Sequence, residues 1–254
     1  MNETERPAWE PAPETEPPPP PDDTPGPFAR LLLAFTSPGK LFEATARRPR
    51  WAVCLLALIL VSLAANFVTT PHLDFEATIR ERAEQSGREI DDARIEQMVK
   101  MSERMASFGP VFVVVGTPLM MGLFALVFLA GAKVAGSDCD YSRSLAVTVH
   151  SYWAPWLVLN GLMIILVQRV DKIPATALQN LVKGSVGAFL PAGAPAWQAT
   201  LGSSLSVFNL WIIVLLVLGM SVVGRLSRGA AATVVLVPWV LYVLGKTALT
   251  VALS

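Results

Sequence analysis

Five stretches of this chain stay apolar long enough to cross a hydrocarbon core of roughly 30 Å, which takes about 20 helical residues. They are residues 51–70, 110–132, 145–168, 205–224 and 230–252. Inside lipid every backbone amide must be satisfied within the protein, so a span is a helix or part of a closed barrel. None of the five shows the two-residue alternation of a barrel strand. The expected fold is therefore all-α: a polytopic integral membrane protein, a bundle of five transmembrane helices over residues 51–253. Composition agrees, with 53% of the 254 residues apolar and only 16% charged.

The spans are preceded by two segments of different character. Residues 1–27 hold half of the chain's twenty prolines, including the run from Pro17 to Pro21, and seven acids against Arg6 alone. Such a segment cannot bury enough apolar surface to offset its ordering entropy and favours extended polyproline II, so a disordered acidic tail is expected. It lacks the basic start, apolar core and cleavage site of a signal peptide. Residues 28–50 are amphipathic: Phe28, Leu31, Leu32 and Phe35 share a helical spacing, and Ser37-Pro38 opens a second turn before Leu41 and Phe42. Arg30, Lys40, Arg47, Arg48 and Arg50 flank these apolar residues, the pattern of a juxtamembrane helix lying at the lipid headgroups.

Orientation is read from the short connections. The basic segment before the first span, Lys133 with Arg143, and Arg225 with Arg228 all belong on the cytoplasmic side. The segment 71–107 then lies outside with its six bases and nine acids, because long connections obey the charge rule less strictly than short ones. Its Ile95, Met98, Met101 and Met105, behind the N-cap residues Asp91 and Asp92, predict an amphipathic helix leading into the second span. The second outer segment, 170–204, carries Ala177, Leu178, Leu181 and Val182 and then Phe189-Leu190-Pro191, and is expected to cap the bundle or lie on the outer leaflet. The amino terminus falls inside and the carboxyl terminus outside.

Chemistry is sparse. Twenty Lys and Arg balance twenty Asp and Glu, leaving no basic footprint for nucleic acid. Cys54 and Cys139 form neither a CxxC pair nor a disulfide framework, and both fall on the reducing side. No HExxH, GxxxxGK[ST] or metal-spaced acid cluster is present, so no catalytic residue, metal or cofactor is assigned. Gly219-Met220-Ser221 begins like a serine-hydrolase elbow, but position 223 is Val and no histidine partner is identified. His150, early in the third span, reads as a hydrogen-bonded residue at headgroup level. Pro118, Pro155 and Pro238 are expected to kink their spans, and Gly131 with Ala135 and Ala132 with Gly136 give small residues that let helices approach.

Depth groups a further set. Ser62, Asn66, Asn160, Asn209, Tyr242 and Lys246 all fall in the outer half of their spans, with Ser62/Asn66 and Tyr242/Lys246/Thr250 spaced by four and so on one helix face. They are candidates for one polar pocket, or for interhelical hydrogen bonds alone.

Several local sequences carry a resemblance. Phe35-Thr36-Ser37-Pro38 with Leu41-Phe42, Pro49-Arg50-Trp51 at the first span, Arg94-Ile95-Glu96-Gln97-Met98, and Ser206-Val207-Phe208-Asn209-Leu210-Trp211 followed by Leu215 to Gly219 occur in order. Over residues 28–253 the chain resembles the bacterial branch of the Yip (Ypt-interacting protein) domain family, whose fold is a five-span membrane domain. Eukaryotic relatives bind Rab-type GTPases and act in vesicle traffic, whereas the bacterial branch has no agreed activity or catalytic residues. The resemblance therefore implies a non-catalytic membrane scaffold or adaptor in a bacterial inner membrane. The tail would offer extended peptide to a protein partner, and Arg47, Arg48 and Arg50 would contact anionic lipid headgroups. A second reading, of a different class, is a small transporter, channel or lipid-handling protein built on the outer polar group. With no internal repeat visible, a homodimer would supply the symmetry such proteins commonly use.

Overall fold

The computed structural model describes residues 24–85, 87, 89–178, 180–191 and 194–253. The expected tail, apart from residues 24–27, lies outside the described residues, as does Arg88. The fold is all-α. Its framework is α3 (Ala52–Thr69), α6 (Gly109–Val134), α7 (Tyr141–Val167), α10 (Val207–Val223) and α11 (Arg228–Leu253). Four of the apolar helices are long enough to cross a membrane, and α10, equally apolar, has 17 residues.

The helix α7 is the axis. From Ser144 to Ser151, and again from Trp153 to Pro155, every residue is buried, because α3, α6 and α10 surround it. A helix covered on all sides must satisfy its own polar groups. Thr148 Oγ1 accordingly donates to the Ser144 carbonyl at 2.9 Å, and Ser144 Oγ donates across to the Ala125 carbonyl at 2.7 Å. The small side chains of Ala146 and Ala154 let the neighbours close in. Pro118, Pro155 and Pro238 stand inside continuous helices.

The segment before the first span differs from the expectation of a helix resting on the headgroups. It forms two helices, α1 (Pro27–Thr36) and α2 (Pro38–Arg47), separated where Pro38 takes the first position of the second helix. Together they make a hairpin that enters the bundle. The Trp153 indole donates to the Leu31 carbonyl at 3.1 Å, and Phe35 meets the Trp211 ring edge-on at 6.1 Å. Phe42 is fully buried in the cluster that includes Val147 and Met220, while Arg143 Nε donates to the Ala46 carbonyl at 3.3 Å. These contacts climb α7 from Arg143 to Trp153, roughly 15 Å of helical rise.

One residue explains why the hairpin can be buried. Arg30, expected at the headgroups, is completely buried, its guanidinium donating to the carbonyls of Pro25 (3.1 Å), Arg48 (2.7 Å) and Ala44 (3.3 Å). The forked guanidinium adds a second donor to the Ala44 and Arg48 carbonyls, which also accept the Arg48 and Arg50 amides at 3.0 and 2.9 Å, and its charge complements the helix dipole at the end of α2. By contrast Lys40, Arg47, Arg48 and Arg50 are exposed, as is the α1 face bearing Phe28 and Leu32.

Two turns complete this basic end. Gly136 (φ 82°) and Arg225 (φ 52°) take left-handed conformations just past α6 and α10. There the Ser137 amide reaches back to the Ala132 carbonyl at 2.9 Å and the Leu226 amide to the Ser221 carbonyl at 3.2 Å. Ser137 Oγ then joins the turns by donating to the Gly224 carbonyl at 2.5 Å.

The far end is covered by α4 (Phe75–Gln85), α5 (Asp92–Ser107), the one-turn α8 (Ala175–Leu178) and α9 (Ala196–Ser204). As expected, α5 starts at Asp91, whose carboxylate accepts the Arg94 amide at 2.7 Å. Ile95 is buried, but Met98, Met101 and Met105 are exposed. On the solvent side Glu96 and Lys100 pair at 2.6 Å, which lowers the Glu96 carboxyl from its ordinary value and raises the Lys100 ammonium.

A parallel ladder that the hydropathy pattern does not reveal ties the two outer segments together. β1 (Leu73–Asp74) pairs with β2 (Ile173–Pro174), Leu73 opposite Ile173. His72 Nδ1 lies 2.8 Å from the Val170 carbonyl, the Ala175 amide donates to Thr78 Oγ1 at 2.9 Å, and Thr176 hydrogen-bonds Glu81. Asp74 also caps α4, accepting the Ala77 amide at 2.8 Å.

Three outcomes test this packing. Arg30→Met should destabilise the protein by about 2–4 kcal/mol and accelerate tryptic cleavage after Arg47, since charge-assisted hydrogen bonds to three carbonyls are lost. Unchanged cleavage would mean that Arg30 does not hold the hairpin. A Cβ at Gly219 would sit 2.6 Å from Val147 Cγ1 and 2.8 Å from the Phe42 ring. Gly219→Ala should therefore cost about 1–3 kcal/mol, partly recovered by Phe42→Leu in a double-mutant cycle. Asp74→Ala should raise hydrogen exchange in residues 71–85 and 170–176 only, reflecting a lost cap of about 1 kcal/mol. Exchange rising uniformly would contradict a local strap.

Candidate functional site

A cavity of about 910 Å³ lies among α3, α6, α7, α9, α10 and α11. Its long wall is formed on α6 by Phe112, Gly116, Met120, Phe124 and Phe128, one per turn over roughly 24 Å of rise, a stripe that winds about 40° around the helix at each step. Opposite, Ile212 and Leu216 of α10 and Val235, Trp239 and Val243 of α11 complete an apolar body. The two sides meet toward the basic end, where Gly131 lets α6 approach so closely that an added Cβ would lie 3.2 Å from Val234 Cγ1. That is one of the small-residue positions the sequence picked out. From there the walls diverge toward the far end, and Phe112 and Tyr242 remain largely exposed at the rim.

Polar groups collect at the wide end. Ser62, Asn66, Asn209, Tyr242 and Lys246 all border the cavity, joined by Ser203 and Ser204 from α9. Some are committed to structure. Ser62 Oγ accepts the Trp156 indole at 2.8 Å, and Asn209 Nδ2 donates to the Ser204 carbonyl at 2.9 Å while its own amide is capped by Ser206 at 3.1 Å. Ser203 and Ser204 both return their hydroxyls to the Thr200 carbonyl.

Two are not. Among the described residues Asn66 has no side-chain hydrogen bond, although its amide presses against the Gly109 backbone, where a Cβ would meet Nδ2 at 2.9 Å. Lys246 has no carboxylate partner among them either. Its ammonium stands 5.9 Å from the centre of the Tyr242 ring, a weak cation–π distance. Among the described residues no acid borders the cavity, and Lys246 is its single charged group.

Asn160 does not join this set. Its Nδ2 donates to the Trp156 carbonyl at 2.8 Å, within its own helix, and it touches the cavity only through that tryptophan. The residues the sequence missed are Trp156, Ser203 and Ser204. Nothing in local spacing marks Trp156 as the donor to Ser62, because the pairing spans 94 positions.

Other sequence candidates have structural places. His150 is buried within the bundle rather than at a headgroup surface, with Nδ1 2.7 Å from the Ala146 carbonyl. Beside it Ser151 Oγ is buried without a hydrogen-bond partner. Ser221 Oγ donates to the Leu226 carbonyl at 2.9 Å and closes the turn after α10. Arg47, Arg48 and Arg50 sit together where α2 passes into α3, exposed at the basic end. Among the described residues no three of His, Cys, Asp and Glu cluster as metal ligands would.

The family model of the Yip1 domain matches residues 32–249. No curated protein and no solved structure matches the chain. The matched stretch begins inside α1 and ends in the last turns of α11, taking in the hairpin, the central helix and both outer segments. The chain belongs to the Yip1 domain family.

Proposed function

We propose that this protein is a non-catalytic, five-span membrane scaffold, with its amino terminus and basic end facing the cytoplasm of a bacterial cell and its carboxyl terminus outside. The observation that carries this reading is the position of Arg30. By holding the Pro25 and Arg48 carbonyls on one guanidinium, it brings the exit of the proline-rich tail beside the exposed Arg47, Arg48 and Arg50. A peptide-presenting segment and a headgroup-binding cluster thus share one face. That face is fixed to the bundle by the buried hairpin, so a partner held by the tail would be held at a set place on the membrane.

The orientation is supported by the gathering of Lys40, Arg47, Arg48, Arg50, Lys133 and Arg143 at one end, as the positive-inside rule requires. The five-span count takes α10, at 17 residues, as a crossing, packed along α7, α11 and α2. The bacterial placement rests on the local sequences that resemble that branch of the family.

Two experiments test it. Both native thiols are buried, and burial pushes the Cys139 thiol up from its ordinary value, so neither competes well for a labelling reagent. A membrane-impermeant maleimide on intact cells should label Glu103→Cys at once and Lys133→Cys only after lysis; the opposite order would invert the topology. Separately, removal of residues 1–26 should abolish recovery of a protein partner from native membranes. Replacing Arg47, Arg48 and Arg50 by Gln should reduce anionic-lipid enrichment, at about 1 kcal/mol per base. If neither changes, the scaffold has no working surface.

A further inference from the structure

We propose that the cavity between α6 and α11 is a binding site for one anionic membrane amphiphile, its acyl chain along the α6 stripe and its headgroup at Lys246 and Asn66. This goes beyond a scaffold, and it rests on the bundle spanning a bilayer; that assumption fails separately, through the labelling pattern above.

Four observations identify the occupant. First, the groove, open on one side, holds about 910 Å³, within the range of ligand sites. Second, its shape is elongated: the α6 stripe from Phe112 to Phe128 runs roughly 24 Å, longer than the half-thickness of a hydrocarbon core, about 15 Å. An extended acyl chain fits that dimension, and a compact polar solute would leave most of the apolar wall uncovered. Third, the charge lies at one end. The narrow end is Phe124, Phe128 and Val235 with Tyr152, whose ring stacks on Phe124 at 5.8 Å, and the wide end carries the uncommitted Asn66 amide and the Lys246 ammonium. Fourth, among the described residues the single charge is positive and no carboxylate borders the cavity, which favours a phosphate or carboxylate headgroup over a zwitterionic or cationic one.

Entry needs no opening motion. Phe112, Met120 and Val127 line the cavity yet remain 61%, 44% and 45% exposed, so the space between α6 and α11 opens sideways. A lipid can therefore slide in from its own leaflet without its chain crossing water.

Gly116 gives the test a clean handle. It borders the cavity, and an added Cβ would meet nothing within 4 Å, so a large side chain there fills the site without displacing helix neighbours. The full-length protein would be placed in nanodiscs containing phosphatidylglycerol with a diazirine acyl chain, and in parallel discs containing phosphatidylcholine with the same chain, then photolysed and mapped by mass spectrometry. Cross-links should concentrate on Phe112, Met120 and Phe124. Phosphatidylglycerol should be favoured, and Lys246→Gln should reduce that preference about five-fold, the effect of losing one lysine–headgroup attraction. Gly116→Phe should abolish the stripe cross-links for both lipids with an unchanged melting temperature, which separates a filled site from a damaged fold.

Cross-links that persist in Gly116→Phe, or that spread evenly onto outward residues such as Leu119 and Val237, would overturn the proposal. So would protein-to-protein cross-links joining the α6 stripes of two chains, because a second copy would then occupy the groove. Equal retention of the two lipids with Lys246 intact would overturn the assignment of an anionic headgroup.

Discussion

The carbonyl groups at the end of α2 set the condition for everything at the basic end of this molecule. The last turn of a helix leaves carbonyls that its own backbone serves only in part. Here Arg30 and Arg143, one from the facing helix of the hairpin and one from the axis of the bundle, supply the donors. With those acceptors satisfied, Phe42 can seat against Gly219 and Val147, α1 can reach Trp153, and the first residues after the tail acquire a fixed position. A charged side chain is thus used as an internal fastener. Arginine suits that role because its fork of donors can serve several carbonyls at once and it stays charged in almost any setting.

The rest of the bundle follows a related rule. Of the fully buried hydroxyls on α7, those of Ser144 and Thr148 give their hydrogen to a backbone carbonyl, across to α6 or a turn earlier, and that of Ser151 has no partner. Such self-sufficient polar residues demand no partner side chain, so α7 can be approached from every direction. Small residues then govern distance: Gly219 admits α2, and Gly131 admits α11. The groove between α6 and α11 is the geometric result of an approach that is tight at one end only.

Much of this architecture was legible in the sequence because the physics that produces it is local. The apolar helices follow from hydropathy, and their limits differ from the apolar stretches by only a few residues. The start of α5 follows from Asp91, and the break between α1 and α2 from Pro38. Five of the six polar residues grouped by depth do share a cavity, since four-residue spacing fixes a helix face and span order fixes depth. What could not be read was the pairing of distant segments. Arg30 has the same local surroundings as its exposed neighbours, and only the return of α2 beside α1 buries it. Likewise Asn160 lies at the right depth, but its face is taken by Trp156, and the two-residue strands β1 and β2 are too short to leave a pattern.

The unequal lengths of the helices bear on the membrane itself. At 17 residues α10 rises only about 26 Å, whereas α6 and α11, with 26 residues each, rise about 39 Å. If all cross the same bilayer, one flank of the protein matches a thin hydrocarbon layer and the other a thick one. Surrounding lipid must thin beside Leu210 and Val214, which face outward on α10, and relax beside α6. Each molecule would then carry a built-in thickness gradient, giving it a preferred place and heading wherever the bilayer is already uneven.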